Sequence, residues 1–121
     1  MKIAPDFDVF VAGNGPAGLT AALAMADAGF STALAGPERK SKDARTTALM
    51  APAIALLSRL GIWKALEKDA APLVSMQIID GTSRLVRARP VLFKASEIGE
   101  AAFGWNIPNE ALFRALEQET A

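Results

Sequence analysis

Cysteine, histidine and tyrosine are absent from this chain. Without cysteine there can be no disulfide, no thiolate nucleophile and no thiolate metal ligand. Without histidine the chain lacks the side chain that most often moves protons near neutral pH and most often binds transition metals. No side chain stands out as catalytic, and none as part of a metal site. Neither sign of charge is in excess: 13 Lys and Arg balance 13 Asp and Glu. Nothing electrostatic therefore draws the chain to nucleic acid or to an anionic membrane. No stretch has the unbroken apolar length of a membrane span. Internal repeats and low-complexity tracts are absent as well. The N-terminus does not read as a signal peptide, because Asp6 and Asp8 flank the first apolar run. The cytoplasm is the expected compartment. The 121 residues suffice for one small domain with one core.

What is present centres on Asp8-Val9-Phe10-Val11-Ala12-Gly13-Asn14-Gly15-Pro16-Ala17-Gly18-Leu19. The apolar run Val9 to Ala12 reads as a buried strand. Gly13-x-Gly15-x-x-Gly18 follows at once, and then an alanine-rich helical segment from Pro16 to Ala28, closed by Gly29. Strand, tight glycine turn and helix is the order that a dinucleotide-binding fingerprint requires. Gly13 permits the sharp exit from the strand. Gly15, without a Cβ, lets a pyrophosphate approach the backbone, and Gly18 lets the helix pack close to the sheet. Pro16 and Ala17 open the helix, where unpaired N–H groups and the positive dipole end favour an anion. A glycine turn can also occur with no ligand; the strand before it and the helix after it favour binding. Phe30 to Ala35 reads as the parallel partner strand.

Gly36 to Thr47 is polar and turn-prone. It is either a solvated loop or a cofactor-edge loop, and its place after the second strand favours the latter. Ala48 to Leu60 is expected to be helical, with Ile54, Leu57 and Leu60 on one face and Gly61 as the stop. Ile62 to Asp69 reads as a second short helix, with Trp63 in the core. Val74 to Asp80 alternates, so a half-buried strand is expected with Val74, Met76 and Ile78 inward. Asp80-Gly81 signals a turn, and Leu85 to Arg89 is the expected returning strand. Arg84, Arg87 and Arg89 read as a solvated face. Val91 to Phe93 and Phe103 to Ile107 are further short strands. A last helix is expected over Glu110 to Gln118, with Asn109 as N-cap and Leu112, Phe113 and Leu116 as its apolar stripe. A parallel sheet of two strands does not bury itself, which points to a larger domain.

In this fingerprint an acid about 20 residues after the glycines accepts hydrogen bonds from the adenosine ribose. The strand-terminal position here is Gly36, and Glu38 lies two residues on. Glu38 either takes over that role or is a solvated loop residue. Arg39, Lys40 and Lys42 either meet a phosphate or face water.

The glycine stretch resembles the N-terminus of FAD-dependent aromatic hydroxylases of the para-hydroxybenzoate hydroxylase type. Several later stretches resemble the ubiquinone-biosynthesis hydroxylases, which act on polyprenylated phenols. They are Asp43-x-Arg45-Thr46-Thr47-Ala48-Leu49, Leu60-Gly61-Ile62-Trp63, Ala71-Pro72-Leu73, Met76-Gln77-Ile78-x-Asp80 and Phe103-Gly104-Trp105-Asn106-Ile107-Pro108-Asn109. The resemblance runs over nearly the whole chain. It implies an α/β fold: a Rossmann-like FAD/NAD(P)-binding βαβ unit over 8–36, the cofactor-edge loop over 36–47, and helices with a β-hairpin over 48–121. Residues 1–121 are then the N-terminal segment of a larger FAD-binding domain, and the fold is incomplete.

The resemblance implies that FAD lies with its ADP part over Gly13, Gly15, Pro16, Ala17 and Gly18. Arg45 with Thr46, and Asn109, lie toward the flavin, and Glu38 is the candidate for the ribose. NAD(P)H and oxygen are the implied co-substrates, and an electron-rich aromatic ring, polyprenylated in the ubiquinone branch, is the implied substrate. Such a substrate implies peripheral contact with the inner membrane. The family normally carries Glu where Gly36 stands, and its members are about three times as long. The motifs that complete their FAD site lie beyond residue 121, so the segment alone is expected to be inactive and prone to self-associate. Two other readings are a non-catalytic dinucleotide-binding module and an interaction segment whose glycine turn binds nothing.

Overall fold

The structure is a computed structural model and describes residues 6–39 and 42–120. Lys40 and Ser41, part of the expected cofactor-edge loop, lie outside the described residues. Strand β1 (Val9–Ala12) pairs in parallel with β2 (Thr32–Ala35), Val9 opposite Thr32 and Ala12 opposite Ala35. Helix α1 (Pro16–Asp27) makes the crossover between them. Pro16 stands in its first turn, where a missing N–H costs nothing. Gly29, at φ +90°, takes the left-handed conformation that ends the helix. The βαβ unit thus forms in the predicted order, with β2 beginning at Thr32 rather than Phe30. Strand β1 is not buried, however. Its residues alternate between half-buried and exposed, Phe10 facing solvent, because no further strand or layer covers that side among the described residues.

The next element departs from expectation. Residues Thr46–Met50 are not loop and helix but a strand, β3. Helix α2 (Ala51–Arg59) starts only after it. Pro52 sits most easily in a first turn, so the helix that holds it begins at residue 51. The partner that makes 46–50 a strand is β7 (Gly104–Pro108), antiparallel, with Thr46 opposite Pro108 and Met50 opposite Gly104. A Cβ at Gly104 would lie 3.0 Å from the Leu49 carbonyl carbon, so glycine permits this close pairing.

Helix α3 (Trp63–Leu66) continues into a 3₁₀ turn (Glu67–Asp69), and β4 (Ala71–Pro72) adds to the other edge of β7. Helix α4 (Asn109–Thr120) follows β7 directly. It starts one residue earlier than expected, so Asn109 is its first helical residue rather than its cap.

The core lies among α1, α2, α3, β7 and α4. Leu19, Ile54, Leu57, Ile62, Leu66, Ile107, Leu112 and Leu116 form it. Leu66, Ile107 and Leu116 are fully buried. Each such side chain contributes roughly 1.5–3 kcal/mol by leaving water. Trp63 and Trp105 pack edge to face against this core, ring centroids 5.6 Å apart.

Strand β5 (Ser75–Ile78) pairs antiparallel with β6 (Val91–Lys94), Ile78 opposite Val91. Leu85 to Arg89 is not the returning strand; it belongs to the long loop 79–90. The turn signalled by Asp80-Gly81 lies within this loop, and the chain returns only at β6. The Asp80 carboxylate accepts the N–H groups of Thr82 and Ala88 and so holds a wide loop together. The strand is not half-buried either: Val74, Met76 and Ile78 are all exposed, as are Val91, Leu92 and Phe93. No second layer covers either face of this ribbon among the described residues.

Candidate cofactor-binding site

The glycine turn is built as the sequence predicts. Gly13 has φ +116°, a conformation that side chains disfavour. A Cβ on Gly18 would run into the Gly13 carbonyl group, 2.8 Å from its carbon. Gly18 thus lets α1 sit against the turn. Around Gly15 there is open space: apart from its own chain neighbours, no atom lies within 4 Å of where a Cβ would be. Gly15 is the N-cap of α1, and no side chain caps the helix. The first turn also carries no acidic residue. The backbone N–H groups there point outward with the positive end of the helix dipole, an arrangement made for an anion.

The described residues of loop 36–45 leave the end of β2 beside this turn and are tied at both ends. On the turn side, the Asn14 Nδ2 donates to the Pro37 carbonyl at 2.9 Å. On the far side the loop is latched to the start of α4. Glu110 Oε1 accepts the Asp43 backbone N–H at 2.8 Å and a guanidinium N–H of Arg39. Arg39 also lies over the Phe113 ring, 4.6 Å from its centroid. Asn109 is buried, and its Nδ2 donates to Asp43 Oδ2 at 2.8 Å while its Oδ1 accepts from the Thr47 hydroxyl. The Asn109 backbone N–H donates to the Arg45 carbonyl at 2.9 Å. Polar contacts therefore tie the loop to the glycine turn at one end and to α4 at the other.

Arg45 closes on Asp43 with two parallel hydrogen bonds, Nε to Oδ1 and Nη2 to Oδ2, each 2.8 Å. The Arg45 guanidinium, then the Asn109 amide, hold the Asp43 carboxyl well below the usual carboxylate range. The same pair raises Arg45 above its ordinary value. The Asp43 N–H, and secondarily Arg39, lower Glu110. The Asp43 side chain is 19% exposed and that of Arg45 is 83% exposed. Asp43 is thus a structural anchor, while Arg45 offers an oriented cation to whatever lies outside.

Of the sequence-predicted residues, Gly13, Gly15, Pro16, Ala17 and Gly18 share the turn, and Arg45, Thr46 and Asn109 share the latched loop edge. Thr46 opens β3 opposite Pro108. Glu38 is exposed and makes no hydrogen bond among the described residues. Asn14, Thr47 and Glu110 were not singled out by the sequence. The Asp43-x-Arg45 spacing was visible, but the partners of Asp43 stand 66 and 67 residues away. Pro16, Ala17, Thr20 and Ala21 of α1 also line an apolar cavity of about 470 Å³ with Leu49, Leu56 and Leu112.

A strand, a glycine turn and an uncapped helix, flanked by a latched loop, define an α/β domain of the dinucleotide-cofactor-binding class. Within that class, the chain belongs to the FAD binding domain family, whose sequence profile matches residues 6–112. FAD is the cofactor of this family. The open space at Gly15 and the acid-free start of α1 fit its pyrophosphate. Ubiquinone hydroxylase UbiL of Rhodospirillum rubrum is 27% identical over 115 residues, covering 90% of this chain and 26% of the relative.

Two solved structures share the fold. The p-nitrophenol 4-monooxygenase PnpA of Pseudomonas putida superposes with a TM-score of 0.65 at 21% identity, covering 93% of this chain and 28% of that one. HpxO of Klebsiella pneumoniae, in a complex with FAD and uric acid, gives 0.72 at 19% identity, covering 93% and 28%. The chain thus spans about a quarter of the length of the relatives it matches.

Proposed function

We propose that this chain forms the dinucleotide side of the flavin site in a flavin-dependent monooxygenase. The enzyme hydroxylates an aromatic ring in ubiquinone biosynthesis, with NAD(P)H and oxygen as co-substrates. The observation that carries the reading is the uncapped, acid-free start of α1 at the glycine turn. The kinship with a ubiquinone hydroxylase supports the substrate branch.

Gly13, Gly15 and Gly18, with Pro16 and Ala17, hold the pyrophosphate through backbone N–H groups. Arg45, fixed by Asp43, and Thr46 with Asn109 position the flavin-side half. Bound FAD would supply the redox chemistry, hydride acceptance from NAD(P)H and activation of oxygen. This chain's residues bind and orient; none of them transfers a proton in this reading. Residues 1–121 are the N-terminal segment of the FAD-binding domain. The ring substrate is polyprenylated, and the enzyme works in the cytoplasm at the face of the inner membrane. Among the described residues no helix is long and apolar enough to cross a membrane. The uncovered apolar hairpin favours self-association of the chain by itself.

An absorbance spectrum after incubation with FAD and desalting tests the reading. Weak but saturable flavin binding, short of one equivalent retained through desalting, is expected from this part of the site, and NAD should not displace it. Failure of FAD titrations to saturate at any accessible concentration, with the chain folded by circular dichroism, would overturn it.

A further inference from the structure

The end of β2 lacks the acid that a dinucleotide fold uses for the adenosine ribose, yet Gly36 does not leave the place empty. A Cβ built on Gly36 would lie 2.6 Å from the Asn14 backbone nitrogen and 2.6 Å from the Asn14 Cγ. Its closest neighbour of all would be Asn14 Oδ1. No side chain fits at residue 36 without moving the turn. Asn14 itself fills the space from the neighbouring strand end.

The orientation of this amide is fixed by chemistry. A carbonyl oxygen only accepts, so the group facing the Pro37 carbonyl at 2.9 Å must be the Nδ2 donor. Oδ1 therefore points the other way. It receives no hydrogen bond among the described residues, and Asn14 is only half-buried. An oriented acceptor, without a partner among the described residues, thus stands where the side chain of a strand-terminal acid would begin. It lies on the same turn whose next residue, Gly15, opens toward the pyrophosphate.

We infer that Asn14 Oδ1 accepts a hydrogen bond from an adenosine-ribose hydroxyl, in place of the acid absent at Gly36. The ligand is the ADP part of the cofactor, so the inference rests on the proposed FAD-binding function. The contact is neutral, and it adds no negative charge beside the pyrophosphate. Asn14 and Gly36 are a matched pair: the amide is accommodated only because residue 36 has no side chain.

Calorimetric titration of the full chain with FAD, ADP, 2′-deoxy-ADP and 3′-deoxy-ADP tests this. The wild-type chain should bind one deoxy nucleotide about 5- to 10-fold more weakly than ADP, the size of one neutral hydrogen bond. Asn14→Ala should bind ADP weaker by the same factor and lose the preference. Glu38→Ala should keep it. Gly36→Glu should not bind more tightly than wild type, because the new side chain displaces Asn14.

Equal binding of all three adenosine nucleotides by the wild-type chain overturns the inference and needs no variant. A preference that survives in Asn14→Ala, or vanishes in Glu38→Ala, overturns it as well. In each of those cases FAD still binds and the proposed function stands. Absence of both FAD and ADP binding removes the two together.

Discussion

Gly18 and Asp43 show how single residues set this site. At Gly18 the Gly13 carbonyl occupies the space of a side chain. Gly18→Ala must therefore push α1 away from the turn, and we expect a loss of about 1–3 kcal/mol in urea unfolding, with weakened FAD binding. An unchanged urea midpoint would show that the turn has room. At Asp43 the argument is electrostatic. Its folded carboxyl titrates below the unfolded one, because Arg45 and Asn109 donate to it. Its contribution is then fully present above the ordinary carboxylate range and is lost as pH falls through its lowered folded value. Stability of the wild-type chain should fall on acidification below about pH 4. Asp43→Asn should be less stable at pH 7 and show a shallower acid limb. Urea midpoints measured from pH 7 to pH 3 give both curves, and parallel curves would remove Asp43 from the account.

The elements divide into those with a partner layer and those without. Helix α4 has one: Leu112 and Leu116 enter the core, and its first turn holds the loop through Asn109 and Glu110. Leu116→Ala should cost about 2–5 kcal/mol by transfer and cavity terms. The β5–β6 ribbon has none, since its apolar residues are exposed on both faces. Phe93→Ser should change the unfolding free energy of the chain by less than about 0.5 kcal/mol. The two variants, compared by denaturant unfolding, check one claim from opposite sides. A large effect at Phe93 would mean that the ribbon packs on the core.

Considered whole, the molecule is a cofactor-binding unit with a covered core and an uncovered remainder. The core joins α1, α2, α3, β7 and α4, and the polar latch ties the loop to it. The two-stranded parallel sheet and the β5–β6 ribbon show apolar residues to solvent, Phe10 and Phe93 among them. Surface of this kind finds a partner. Sedimentation velocity should show concentration-dependent association of the isolated chain. Replacing Met76, Ile78 and Phe93 together with serine should return it to monomer while leaving FAD affinity unchanged. A monomer at all concentrations would show that the ribbon folds onto itself or is tolerated.

The sequence by itself determined the elements whose causes are local. Val9–Ala12, the glycine turn and α1 follow from adjacent residues: an apolar run, three glycines with separate tasks, and a proline in a first turn. It determined α4's apolar stripe by spacing alone, and it brought Arg45, Thr46 and Asn109 into view through a family likeness. Only the tertiary structure decided what depends on distant partners. Residues 46–50 became a strand because β7 lies beside them, against a local pattern that reads as loop and helix. The hairpin returned at Val91 because Asp80 gathers two backbone N–H groups across a wide loop. Asp43 became an anchor because Asn109 and Glu110 arrive from the far end of the chain, and Gly36 changed from a missing acid to an occupied place because Asn14 reaches over from the next strand. Local pattern records what a residue prefers; contacts across the sequence decide which preference prevails.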